Sequence, residues 1–136
     1  MIAAGGALGA ALRYGLSEAF PSDPAGFPSV TFGINVAGCL LIGVLMALVQ
    51  GGAVAHPLVR PFLGVGVLGG FTTFSTYTVE IQLLVERDAA GTALAYLAAT
   101  VAGAMAATWA GLVSTRWIIH RGRTSVGPLG DELGQP

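Results

Sequence analysis

The groups best suited to chemistry in this chain are the backbone carbonyls and hydroxyls of Gly69-Gly70-Phe71-Thr72-Thr73-Phe74-Ser75-Thr76-Tyr77. Two glycines and five hydroxyl residues interrupt an apolar segment that runs from Pro61 to Leu84. Glycine is a weak helix former, and Ser and Thr offer the backbone competing hydrogen bonds. The stretch therefore predicts a helix broken at membrane depth, where irregular backbone survives only if protein or a water-filled cavity covers it. Carbonyls released between Gly69 and Thr72 can coordinate a hard cation such as Na+. The hydroxyls of Thr72, Thr73, Ser75 and Thr76 can bond the freed backbone or an ion. Phe74 and Tyr77 lie three apart and share a face where helix resumes. Their ring edges suit a small anion and their faces a cation; simple core packing is the plainer alternative.

Other polar groups sit inside apolar runs. Asn35 lies near the start of one, and a carboxamide there is costly without partners. It serves either a helix-to-helix hydrogen bond or a pore. Asn35, Cys39, Gly43 and Ala47 recur at every fourth position, which puts Asn35 on a small-residue face turned to protein. Tyr96, Thr100 and Thr108 share a face of the last apolar run, with Ala104 in the gap. They read as a wetted track or as hydroxyls bonded to their own i−4 carbonyls. Ala99, Gly103, Ala107 and Gly111 form a packing face beside them. Arg13 is a full charge within the first run; it anchors structure or attracts anions. Glu80 is its possible partner, or else faces the aqueous boundary.

These groups require elements that hold them in a bilayer. Of the 136 residues, 54% are hydrophobic and 10% charged, against about 25% charged in soluble domains. The fold class is an all-α integral membrane protein with four transmembrane helices, over about 2–19, 30–49, 61–84 and 89–117, the third of them broken. Residues 1–119 form this one domain, and 120–136 read as a polar, disordered tail. The net charge of −1 gives no case for nucleic acid. The single Cys39 excludes an intrachain disulfide. No nucleotide, hydrolase or protease motif appears, so no enzyme is expected. Four spans put both termini and the second loop on one side. That side carries Arg60, Arg116, Arg121 and Arg123; the other carries Arg87. The positive-inside rule then places the termini in the cytoplasm of a cell-membrane protein.

Three segments in this order resemble the Fluc/CrcB fluoride channels. They are Gly6-Ala7-Leu8-Gly9-Ala10-Ala11-Leu12-Arg13-Tyr14, Thr31-Phe32-Gly33-Ile34-Asn35-Val36-Ala37-Gly38, and the stretch from Gly69 to Tyr77. The resemblance covers about Gly5 to Thr115. It implies a dimer of antiparallel subunits with two fluoride pores. It also implies a structural, untransported Na+ held by the backbone oxygens of Gly69 and Thr72. The pore asparagine falls on Asn35, the first pore phenylalanine on Phe74, and the polar track on Tyr96, Thr100 and Thr108. Tyr77 stands where the family has a second phenylalanine, and Ala104 where it has a serine of the track.

The function implied is passive export of fluoride, with Asn35, Ser75, Thr76, Thr100 and Thr108 as donors and the edges of Phe74 and Tyr77 completing the path. The arginine bias suits a fixed orientation, which calls for a related second subunit of opposite orientation; an identical chain inserted both ways is the alternative. Two alternatives stand beside this reading. One is a small dual-topology drug or cation exporter, which needs a glutamate in the first span, where only Glu18 lies near its end. The other is a non-conducting accessory subunit.

Overall fold

Helix formers with embedded glycines produce long helices that can approach to backbone contact, and this dictates the architecture. The computed structural model describes residues 1–21, 23, 26–54 and 56–124. Helix α1 spans Ile2–Ala19 and α2 spans Ser29–Gln50. The third segment begins as a π-helix over Arg60–Leu68 and tightens into the short α3, Gly69–Phe71. Thr72 is extended at φ −73° and ψ 154°, and α4 runs over Ser75–Glu86. Helix α5 spans Ala90–Thr124. The described residues contain no strand.

Three stretches are long and apolar enough to cross a bilayer: Ser29–Gln50, Arg60–Glu86 and Ala90–Arg121. Helix α1 is not among these three. Arg13, Glu18 and its glycines keep it less apolar than the other three.

The helices associate in parallel pairs. In the first, a Cβ on Gly5 would stand 2.7 Å from the Phe62 carbonyl oxygen and 3.1 Å from the Gly66 Cα. One on Gly9 would strike the Val67 carbonyl, and one on Gly70 the Gly6 carbonyl. These contacts advance together along α1 and the third segment, so the two run the same way. The second pair is α2 with α5. A Cβ on Gly43 would strike the Thr108 carbonyl, and one on Gly111 the Leu40 carbonyl. Close backbone approach of this kind supplies dispersion contact where the hydrophobic effect between helices is absent. Asn35, Gly43 and Ala47 are buried, as their common face requires.

A tight hairpin joins α4 to α5. Asp88 takes φ 59°, a left-handed conformation that Asp tolerates, and the Ala89 N–H donates to the Leu84 carbonyl at 2.9 Å. Residues on the facing sides of these two antiparallel helices then meet. Leu84 packs with Ala93, and Tyr77 with Tyr96, in a buried cluster that Phe32 and Ile81 flank.

Helix α5 continues through Thr124, into the stretch that reads as a polar tail from 120. Arg121 lies over the Trp117 ring, its centroid 3.5 Å away, one helical turn back. That stacking favours continued helix, and no proline intervenes before Pro128. The remainder of the expected tail, 125–136, lies outside the described residues.

Candidate ion-binding site

The link between α3 and α4 is held by Asn35 from α2. The Thr73 N–H donates to Asn35 Oδ1 at 2.8 Å, and Asn35 Nδ2 donates to the Thr73 carbonyl at 3.0 Å. One carboxamide thus satisfies both backbone groups of the residue where helical bonding lapses. In a continuous helix the Thr73 N–H would serve the Gly69 carbonyl, so Asn35 takes that donor away. The Thr73 side chain starts the next helix: its Oγ1 accepts from the Thr76 N–H at 3.1 Å. The hydroxyls cluster there, with Thr73 Oγ1 3.0 Å from Thr76 Oγ1 and 3.4 Å from Ser75 Oγ. Phe74 projects outward beside them, 78% exposed.

Arg13 reaches the other side of the link. Its Nε donates to the Gly70 carbonyl at 3.3 Å. It therefore anchors backbone rather than pairing with Glu80. Gly69 keeps helical dihedrals, whereas the extended Thr72 turns its carbonyl out of the helical direction. The Thr72 hydroxyl bonds the Leu68 carbonyl at 2.9 Å.

Farther along α4, Glu80 joins three helices. Thr31 Oγ1 donates to one carboxylate oxygen at 2.7 Å, and the Tyr96 hydroxyl to the other at 2.6 Å. A cavity of about 210 Å³ adjoins Glu80, lined also by Asp23, Leu84 and Arg87. Aromatic rings connect this carboxylate to the link. The Phe74 and Tyr77 centroids lie 5.8 Å apart, Tyr77 and Tyr96 meet edge-on at 5.1 Å, and Phe27 caps Tyr96 at 5.3 Å.

Counting hydroxyl protons separates the expected track residues. The Tyr77 hydroxyl donates to the Leu97 carbonyl at 3.0 Å, Tyr96 to Glu80, and Thr108 to the Ala104 carbonyl at 2.9 Å. Each has one proton, and each is committed. Thr100 differs: it is buried, and its Oγ1 has no hydrogen-bond partner. Thr108 lies two turns beyond it, on an apolar groove with Cys39, Met105 and Trp109. The structure thus gathers Asn35, Phe74, Ser75, Thr76, Tyr77 and Tyr96 around one hydroxyl and aromatic cluster. Thr108 lies apart from it.

Comparison with known proteins decides the family. A family described as CrcB-like protein, Camphor Resistance (CrcB), matches residues 1–112. The chain belongs to the CrcB family. It is 53% identical over 116 residues to "Fluoride-specific ion channel FluC 2" of Nocardia farcinica, covering 85% of this chain and 83% of that one. It is 54% identical over 101 residues to a protein of the same description from Streptomyces avermitilis, covering 74% of this chain and 64% of that longer one. A Thermobifida fusca protein, also so described, is 47% identical over 120 residues, 88% of this chain and 89% of its own. As a CrcB member with several helices able to cross a bilayer, the chain is a multi-pass membrane protein.

Sequence reasoning about this CrcB chain missed three participants. Thr31 was read only as part of a motif, Thr73 only as one hydroxyl among several, and Phe27 not at all. The hairpin offered a usable signal. Glu80 and Tyr96 are nearly equidistant from Asp88, so an antiparallel α4–α5 pair had to bring them face to face.

Proposed function

We propose that this chain forms a fluoride-specific channel that passively exports fluoride across the cell membrane. The observation that carries this reading is its identity of 47–54% to CrcB relatives described as fluoride-specific ion channels. Fluoride is small and strongly hydrated. A pore must replace its water with donors, yet bind weakly enough at successive points for the ion to leave. The second Nδ2 proton of Asn35, the hydroxyls of Ser75, Thr76 and Thr100, and the exposed edge of Phe74 supply such points. Tyr77 contributes a ring edge, since its hydroxyl proton is already donated. Tyr96 supports Tyr77 from behind, and Thr108 lines a more distant stretch of the route. HF enters acidified cells and dissociates there, so passive flux removes the anion. No catalytic step is assigned.

Four spans, the third interrupted at Thr72–Phe74, place the termini in the cytoplasm by arginine bias. The outward-facing Phe74 calls for a second, antiparallel subunit to complete each pore, either this same chain or a related one. The resident cation is Na+, held by the Gly69 and Thr72 backbone oxygens. The residues fit such an ion. Asn35 removes the donor that Gly69 would otherwise bond, Thr72 is extended, and neutral carbonyl oxygens suit a hard monovalent cation. Bound there, Na+ would fix two subunits against each other without moving.

The test is fluoride release from liposomes, read by electrode, without a proton gradient. Rapid release is expected, and Phe74→Ile should abolish it while leaving the oligomer intact. Proton-driven cation export instead would establish the exporter, and neither activity the accessory subunit. Expressing the chain alone addresses the partner: robust efflux would exclude an obligate second gene product.

A further inference from the structure

The two ends of the bundle carry opposite chemistry. Among the described residues, Glu18, Asp23, Glu86 and Asp88 lie toward the α4–α5 hairpin end, with Arg87 as a single base among them. The other end holds the Met1 amine, His56, Arg60, Arg116, His120 and Arg121, and no described acid. At that end a notch of about 340 Å³ opens between the C-terminal turns of α2 and α5, lined by Ala47, Gln50, Gly51, Arg116, Ile119 and His120. We propose that this notch binds the phosphate of an anionic phospholipid headgroup.

Three observations carry the assignment. The first is preorganisation. Arg116 is exposed, and one of its guanidinium nitrogens donates to Gln50 Oε1 across the two helices. Gln50 thereby orients the planar fork, whose remaining N–H groups suit bidentate phosphate contact. His120 follows one turn later on the same wall. The second is depth. Helix α5 has 35 residues, about 52 Å at its ordinary rise, against roughly 30 Å of hydrocarbon. Its last turns therefore rise into the headgroup layer. Trp117 is 54% exposed and carries the Arg121 guanidinium on its ring, an amphipathic pairing suited to the membrane–water boundary. The third is the approach. Ile118 is 63% exposed and Ile119 lines the notch, so acyl chains can lie beside the site. A soluble anion would gain nothing from those groups. The proposal requires only that α5 be inserted in a membrane; it does not depend on fluoride as the transported ion.

Bromine quenching tests it in the full-length protein. The chain has two tryptophans, so Trp109→Phe leaves Trp117 as sole reporter. The protein is reconstituted in phosphatidylcholine vesicles containing a minority of phosphatidylglycerol, with bromine on one lipid or the other. Brominated phosphatidylglycerol should quench Trp117 about fivefold more effectively per mole than brominated phosphatidylcholine, the preference one arginine supplies. Arg116→Gln should remove the preference, while Arg60→Gln, exposed at the same end but outside the notch, should leave it. Equal quenching by both lipids would overturn the proposal. So would equal losses in the two variants, which would mean diffuse surface charge, or displacement by inorganic phosphate, which would make the ligand a soluble anion. Fluoride release from the same vesicles is read separately, so failure of the channel reading and failure of the lipid site are distinguishable.

Discussion

The two halves of the third segment are secured in opposite ways. Its first half, Arg60–Leu68 with α3, lies on α1 through glycines, backbone against backbone. Its second half, α4, lies on α5 through large side chains that carry polar handles: Tyr77, Glu80 and Tyr96. Glycine contact fixes position because nothing in it can change rotamer. Side-chain contact fixes position more softly, but it can offer ring edges and acceptors. The link at Thr72–Phe74 joins a rigid half to an adaptable one; Asn35 holds its backbone at Thr73, and Arg13 holds α3 just before it at Gly70.

If that contrast is right, damage to the first half is the most severe. A Cβ on Gly9 would strike the Val67 carbonyl, and backbone cannot step aside as a flexible side chain can. Gly9→Val should cost about 3 kcal/mol or more. It is expected to abolish recovery of folded protein in detergent. A folded Gly9→Val protein of normal thermal stability would show that the glycine contact is not rigid.

Asn35→Leu comes next. It strips the Thr73 N–H and carbonyl of their partners, and two unsatisfied backbone groups cost about 2 to 6 kcal/mol together. The Arg13 anchor is untouched, so the bundle should assemble with lowered stability and without fluoride release. Thermal unfolding and liposome flux read the two effects. Retained flux would mean that the link holds without its clamp.

The same contrast explains what the sequence revealed. Small residues at regular spacing foretold the packing faces of α2 and α5, because a small residue in a membrane helix has few other uses. The π-helical winding of Arg60–Leu68 was not legible, since nothing in nine residues distinguishes i→i+5 bonding from i→i+4. Nor were the destinations of the protons. Tyr77, Tyr96 and Thr108 look like equivalent donors in the sequence, yet each is committed to a different acceptor. That choice depends on which carbonyl or carboxylate the fold brings within 3 Å or so of each oxygen.

In the second half a milder change is informative. Glu80→Gln keeps the size of the side chain but leaves one acceptor where two hydroxyls now donate. Thr31 or Tyr96 must reverse, and the loss is about 0.6 to 1.7 kcal/mol, the range found for polar contacts between membrane helices. A double-mutant cycle with Thr31→Val and Tyr96→Phe measures it by unfolding. Couplings near zero for both pairs would mean that ring packing alone holds α4 on α5.

Tyr77→Phe should have the smallest effect and the sharpest meaning. It deletes the hydroxyl that donates to the Leu97 carbonyl. That carbonyl lies within α5 and keeps its own helical donor, so no buried group is orphaned and the cost stays at or below about 1 kcal/mol. The ring remains edge-on to Tyr96 and adjacent to Phe74, which preserves the edge proposed to meet the anion. Flux through Tyr77→Phe should therefore match the parent, while Tyr77→Ile, of similar bulk but without ring hydrogens, should lose it. If Tyr77→Phe were as inactive as Tyr77→Ile, the phenol itself would be the working group. The Leu97 bond would then be a resting contact that fluoride displaces.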